Sequence, residues 1–234
     1  MIGESNNRLY EMSSRLFLWL MHIPGISGGI TRLAKIWLRQ AHVVRHVAGS
    51  SYDGVIDGGA SIGEFAALVR VARPDLPLLC VEPHPASARV LRRRGFAVVE
   101  AALWRDSGTI RLTQPTDATT SCTVIPEQRQ DRPHWDVRAV RLADLPVSGR
   151  RLLIKLDLQG AEPEALDGMG DLWGRCAGLL LEVSYGTDGT YEALRTRLLQ
   201  QGFVEAATFN ELDAGAVPIE ADKLWLPQHP APEH

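Results

Sequence analysis

Three cysteines in 234 residues, Cys80, Cys122 and Cys176, are too few and too scattered for a disulfide framework, and no C-x-x-C pair offers a zinc site. Cys80 lies in an apolar run and reads as a small core residue; a reducing, cytoplasmic setting is the expectation. The dinucleotide fingerprint G-x-G-x-x-G is missing, because its second glycine falls on Ala60 or Ser61 in the frames starting at Gly58 and Gly59. The apolar run 16–21 is short, follows acidic and polar residues, and is closed by Pro24-Gly25. It has neither the length of a bilayer span nor a basic leader, so no secretory signal and no stable membrane insertion are expected. A formal net charge of −3 gives no reason to expect nucleic acid or another polyanion as a partner.

What is present is an ordinary globular composition, 45% hydrophobic and 23% charged, long enough for one domain with a substantial core. The chain is organised around Asp53 to Phe65, D-G-V-I-D-G-G-A-S-I-G-E-F. Val55 and Ile56 end a buried strand, the glycines form a tight turn, and Phe65, Ala66, Leu68 and Val69 fall at helical spacing. Such a turn brings backbone close to a ligand and presents the unpaired N–H groups of a helix start. Gly58, Gly59, Ala60, Ser61 and Gly63 are therefore candidate binding residues. The spacing of Asp57, Gly59 and Gly63 resembles the first motif of the S-adenosylmethionine-dependent methyltransferases. A carboxylate there suits a ligand with an amino group and a sulfonium and would repel a pyrophosphate. An ordinary strand–helix turn is the plain alternative.

A second apolar run, 77–81, ends in Val81-Glu82-Pro83-His84-Pro85. Glu82 follows the turn by roughly twenty residues, where a carboxylate accepts hydrogen bonds from both hydroxyls of a ribose. Pro83 and Pro85 stop the strand and open a helix. His84 flanks the site, and Arg89, Arg92, Arg93 and Arg94 read as a solvated helix face. A third strand is expected over 96–103, with Ala101 and Ala102 leaving room for a flat base. Alternating strands at 109–113 and 137–142 bracket the polar stretch 114–136, which is too long for a plain connection and reads as a loop near the acceptor. The buried strand 152–156 ends at Asp157; Gly160 turns the chain, and Glu162 opens a helix with acids in its first turn. A strand over 178–183 ends at Glu182, followed by a helix at 190–201 and a strand pair at 203–209 and 224–226. Asp57, Glu82 and Asp157 would gather at the carboxyl edge of a parallel sheet, where open α/β sheets bind ligands.

Residues 1–50 read as a helical extension: two amphipathic helices broken by Pro24-Gly25. Packing on the main domain, a homodimer contact, a lid and a membrane-surface helix are its alternative roles. The main domain is expected over 51–227, and 228–234 reads as a frayed tail.

I-K-L-D-L-Q-G-A-E at 154–162 resembles the signature of the FkbM-type methyltransferases. Together with 55–63, 81–85 and Leu180-Leu-Glu-Val, the resemblance covers 53 to about 205. It implies a Rossmann-like, mostly parallel seven-stranded sheet with helices on both faces, binding S-adenosyl-L-methionine and methylating hydroxyls of sugars, glycolipids or polyketides. Gln159 stands where many members carry Glu, and His84 where Asn is frequent; an amide at 159 cannot act as a base. Asn-Pro-Pro-Tyr, the usual mark of amino-group methylation on nucleic acids or proteins, is absent, which favours a small-molecule acceptor.

Methyl transfer from a sulfonium needs mainly positioning, and a hydroxyl acceptor benefits from a base within reach. Asp157, Glu182 and then Glu162 are the candidate bases. Asp157 equally suits a cofactor contact, and Glu162 equally suits its helix end. No His/Asp/Glu spacing calls for a metal. A non-catalytic S-adenosylmethionine binder and a nicotinamide-dependent oxidoreductase are the rival readings.

Overall fold

The computed structural model describes residues 43, 45–113, 123–124, 134–186, 190–213 and 218–228. Most of the helical extension, most of the 114–136 stretch and nearly all of the tail lie outside these residues.

Two sheets organise the chain. The main one has seven strands: β1 (Gly54–Gly58), β2 (Leu78–Val81), β3 (Ala97–Val99), β8 (Leu152–Leu156), β9 (Cys176–Ser184), β10 (Phe203–Asp213) and β11 (Pro218–Pro227). Their order is β10-β11-β9-β8-β1-β2-β3. Only β11 runs against its neighbours β9 and β10; the pairs β1–β2, β2–β3, β1–β8 and β8–β9 are parallel. Every residue of β1 and β8 is buried, so these strands are covered on both faces, and Asp57 and Lys155 are the charged residues within them.

The two-residue strand period sorts the side chains. Val55, Leu153 and Leu180 pack with Val43 and Val47 of a helix ending at residue 49, and with Phe65 and Val69 of α1 (Glu64–Ala72). Ile56, Ile154, Leu179 and Leu181 face the other way. They pack with Ala165 and Leu166 of α3 (Glu162–Asp167) and Leu194 and Leu198 of α4 (Thr190–Gln200). α2 (Pro85–Arg93) adds Leu91 beside Ala66 and Cys80 on the α1 side. Each fully buried Leu or Ile contributes about 1.5–3 kcal/mol of transfer free energy.

α2 starts with Pro85, whose missing N–H has no helical partner to lose. It stops at Gly95, in the left-handed region at φ 75°, whose N–H bonds to the Arg92 carbonyl at 3.0 Å.

The expected third strand divides in two. Val99 O accepts the Glu82 N–H at 3.1 Å, ending the pairing of β3. The chain then bends at Glu100, which is held by Arg92 at 2.6 Å. β4 (Ala102–Leu103) leaves for a second, four-stranded sheet, where it pairs with β7 (His134–Val140). β5 (Gly108–Thr113) and β6 (Thr123–Val124) complete that sheet in the order β4-β7-β5-β6. The stretch expected as one loop over 114–136 thus contains β6, and its last three residues already belong to β7. Leu103, Val140 and Leu142 join the core of the main sheet, which anchors the small sheet beside the ends of β1 and β2.

Candidate functional site

The parallel register of β1 and β8 sets Asp57 beside Lys155. Both project to the α1 side, under the glycine turn. Asp57 is 0% exposed, and Lys155 Nζ lies 3.1 Å from its Oδ1. The same ammonium donates to the carbonyls of Gly59 at 3.2 Å and Gly58 at 3.4 Å, and sits 3.5 Å from Asp157 Oδ2. Burial alone would lower the Lys155 pKa, but the charges of Asp57 and Asp157 outweigh it and keep Lys155 protonated. Asp57 therefore lies behind the turn, paired with a lysine, and not on a ligand-facing surface. Lys155 was not singled out in the sequence, where it reads as an interruption of an apolar strand.

The turn is tied down from both sides. Gly59 (φ 70°) passes so close to the end of β8 that an added Cβ would lie 1.9 Å from the Asp157 carbonyl oxygen. Gly63 (φ 85°) caps α1, and a Cβ there would lie 2.6 Å from Leu91. Ser61, between them, is held at φ 48° with its N–H donating to Glu82 Oε2 at 2.8 Å. Glu82 Oε1 accepts the His84 N–H, also at 2.8 Å. At 6% exposure, this carboxylate links the first turn to the second and leaves each oxygen a spare acceptor site. Burial raises its pKa.

Around Glu82 the surroundings are aromatic. His84 and Trp135 of β7 meet edge to face at 5.8 Å, and the buried His84 Nδ1 and Trp135 Nε1 have no hydrogen-bond partner among the described residues. Pro83 is half-buried, while Ala60, Ala101 and Ala102 are buried. Ala101 packs into the main core and Ala102 against Leu112 and Val137, so neither alanine side chain borders open space.

At the ends of β8 and β9 a second group converges. Gln159, in the left-handed region at φ 56°, donates its amide to Asp157 Oδ1 at 3.0 Å and to Glu182 Oε2 at 2.8 Å. Gln159 thus bridges two neighbouring carboxyls whose titrations depend on each other. Burial and then the charges of Asp157, Glu220 and Asp222 push the Glu182 pKa up. At Asp157 burial is outweighed by the Lys155 charge, which holds it low.

Glu182, Gln159, Glu162, Ser184, Tyr191 and Glu220 line a cleft of about 290 Å³. Within it Glu162 is turned back on its own loop: 5% exposed, it accepts the Leu158 N–H at 2.6 Å and opens α3. Burial pushes its pKa up to about 7. A carboxyl raised in the fold stabilises most below its unfolded value near 4.5 and loses that contribution as pH rises through 7. We expect Glu162→Gln to abolish a loss of at most about 3 kcal/mol between pH 5 and pH 8. Urea unfolding of both proteins at the two pH values measures it. Among the described residues, no group of His, Cys, Asp and Glu is arranged to hold a metal, and no helix is long and apolar enough to cross a membrane.

Asp57, Glu82, Asp157, Glu162 and Glu182 thus lie along one edge of the sheet, the edge expected from strand polarity. No family model matches the chain. A relative described as Methyltransferase 1, from Beauveria bassiana, is 24% identical over 65% of this chain and 72% of its own length. The crystal structure of methyltransferase FkbM from Methylobacillus flagellatus superposes with a TM-score of 0.53 at 13% identity, covering 84% of this chain and 58% of that one. This chain therefore spans less than two thirds of that protein. The magnesium protoporphyrin IX methyltransferase of Synechocystis, solved with bound SAM, gives a TM-score of 0.48 at 11% identity, over 88% of each chain. With its seven-stranded, mostly parallel sheet and single reversed strand, the chain has the Rossmann-like fold of the FkbM methyltransferase structure.

Proposed function

We propose that this protein is an S-adenosylmethionine-dependent methyltransferase that methylates a hydroxyl of a small molecule, of the sugar, glycolipid or polyketide kind. The observation that carries the reading is Glu82. It is a buried carboxylate at the end of β2, fixed by the N–H groups of Ser61 and His84, with spare acceptor capacity on both oxygens. That pair of acceptors fits the two hydroxyls of a ribose. The orphaned ring nitrogens of His84 and Trp135 beside it fit the polar edge of a base. The carboxylate of Asp157 fits the amino group of the cofactor's methionine part. When bound, S-adenosylmethionine supplies a methyl group on a sulfonium.

The remaining work falls to the chain. The turn, clamped by Lys155 and Glu82, fixes the cofactor-facing backbone before binding, so little is left to reorganise. Glu182 lines the cleft and is the stronger base of the carboxyl pair; Asp157 and Gln159 hold it in place. After losing its proton, Glu182 takes the proton of the acceptor hydroxyl, while the cleft orients that oxygen.

A base that must ionise first makes turnover rise with pH through its pKa. At saturating cofactor we expect Asp157→Asn to move this limb to lower pH, because it removes a charge that raises Glu182. Glu182→Gln should remove the limb and most of kcat. The reading itself is tested by incubating the purified protein with methyl-labelled S-adenosylmethionine and a panel of sugar and polyketide alcohols. Label in an ether product supports it; label found only on amines, or none on any acceptor despite cofactor binding, counts against it.

A further inference from the structure

The opposite edge of the main sheet carries a second cavity, of about 520 Å³. It opens where the parallel strands begin: Tyr52 precedes β1, Arg150 and Arg151 precede β8, and Trp173 and Arg175 precede β9, with Leu226 of β11 closing one side. The size is that of a pocket for a small organic molecule.

Its chemistry is one-signed. Three arginines line it, and none of the described lining residues is Asp or Glu, in a chain whose net charge is −3. The arginines are aimed by neutral groups. Arg175 donates Nε to Gly149 O at 2.7 Å and Nη2 to Val147 O at 3.0 Å. Arg151 donates Nε to Ser51 Oγ at 3.0 Å and Ser51 O at 3.2 Å. Carbonyls and a hydroxyl orient a guanidinium without cancelling its charge. The nearby acid, Asp53, spends its two oxygens on the backbone N–H groups of Arg150 and Arg151, each at 2.8 Å.

Arg150 is itself exposed. The rest of the wall is aromatic or aliphatic: Trp173, Leu226, and Tyr52, whose hydroxyl is engaged by His46 Nε2 at 2.8 Å. Guanidinium forks match the paired oxygens of carboxylates and phosphates, and flat apolar walls match a ring or chain.

We propose that this cavity is a second binding site, for a carboxylate or phosphate ester carried on an aromatic or aliphatic body. The proposal is independent of the methyltransferase reading, since the cavity shares no residue with the carboxyl-edge site.

Calorimetric titration of the full chain with phenyl phosphate, benzoate and the neutral benzyl alcohol tests it, on wild type, Arg150→Glu and Arg151→Gln. At least one anion should bind one-to-one and about tenfold or more tighter than the alcohol, and each variant should weaken that anion by about tenfold. Affinity for S-adenosylhomocysteine should stay within about twofold of wild type, as about 0.4 kcal/mol allows. Preference for phenyl phosphate assigns a phosphate ester, and preference for benzoate a carboxylate. Anions binding no better than the alcohol would overturn the proposal, as would anion affinity unchanged in both variants. Should one variant fail to fold, the other and the wild-type discrimination still decide.

Discussion

Lys155→Met is expected to destabilise the protein by about 3–5 kcal/mol, the cost of leaving one partner of a buried ion pair alone. Asp57 is wholly buried, and Lys155, 3.1 Å from its Oδ1, is the cation that balances its charge. Without the ammonium, Asp57 must take up a proton to stay buried, because burial already pushes its pKa up and Lys155 is what opposes this. The penalty should therefore be larger at pH 8 than at pH 5. Adding Asp57→Asn to Lys155→Met should recover part of the loss, since no charge is then left buried. The expected non-additivity, measured by chemical unfolding of both single variants and the double, separates an ion pair from two independent polar groups. Additive losses below about 1 kcal/mol would mean that Asp57 is neutral in the fold. Because Lys155 also holds the Gly58 and Gly59 carbonyls, cofactor affinity should fall in the same variant.

Glu82→Ala should weaken S-adenosylhomocysteine binding by about 100-fold or more. Two effects add. The ribose loses its charged acceptor, worth about 1.5–3 kcal/mol for each charge-assisted hydrogen bond, and about 2.7 kcal/mol corresponds to 100-fold. The N–H groups of Ser61 and His84 also lose their shared acceptor, so Ser61 is no longer held at its positive φ. Glu82→Gln keeps one carbonyl oxygen and should fall between wild type and the alanine variant. Loss of less than about threefold in Glu82→Ala would move the ribose site elsewhere on the edge.

These two residues show what the sequence makes legible. Glu82 could be found because strand length and turn length fix its distance from the glycine turn, so a carboxylate at a strand end falls at a countable position. Asp157 and Glu182 follow from the same rule. Lys155 escaped because a lysine inside an apolar strand acquires its meaning only from the parallel register that sets Asp57 beside it, and register between strands almost a hundred residues apart leaves no local trace. Asp57 ends β1 at the same edge, but period-two alternation turns its side chain to the face of Val55 under α1, toward Lys155, and that direction depends on the packing of the strand.

The seven strands were readable as separate apolar or alternating runs, and the helices between them from proline, glycine and acid signals as much as from apolar spacing. The split of 96–103 was not, because three residues pairing with β2 and two pairing with β7 form one unbroken pattern in sequence. Glu162 shows the limit of composition: an acid in the first turn of a helix at the ligand edge looks catalytic, yet its carboxylate is spent on the Leu158 N–H. The pairing of Gln159 with both Asp157 and Glu182 depends on a left-handed backbone at a non-glycine residue, which the sequence does not announce.

The central claim is that the carboxyl edge, from the glycine turn to Glu182, binds S-adenosylmethionine. Calorimetric titration of the purified protein with S-adenosylhomocysteine, run beside NAD under the same conditions, tests it most directly. The account predicts saturable one-to-one binding of S-adenosylhomocysteine and none of NAD. Binding of NAD alone would contradict it and return the chain to the nicotinamide-dependent reading.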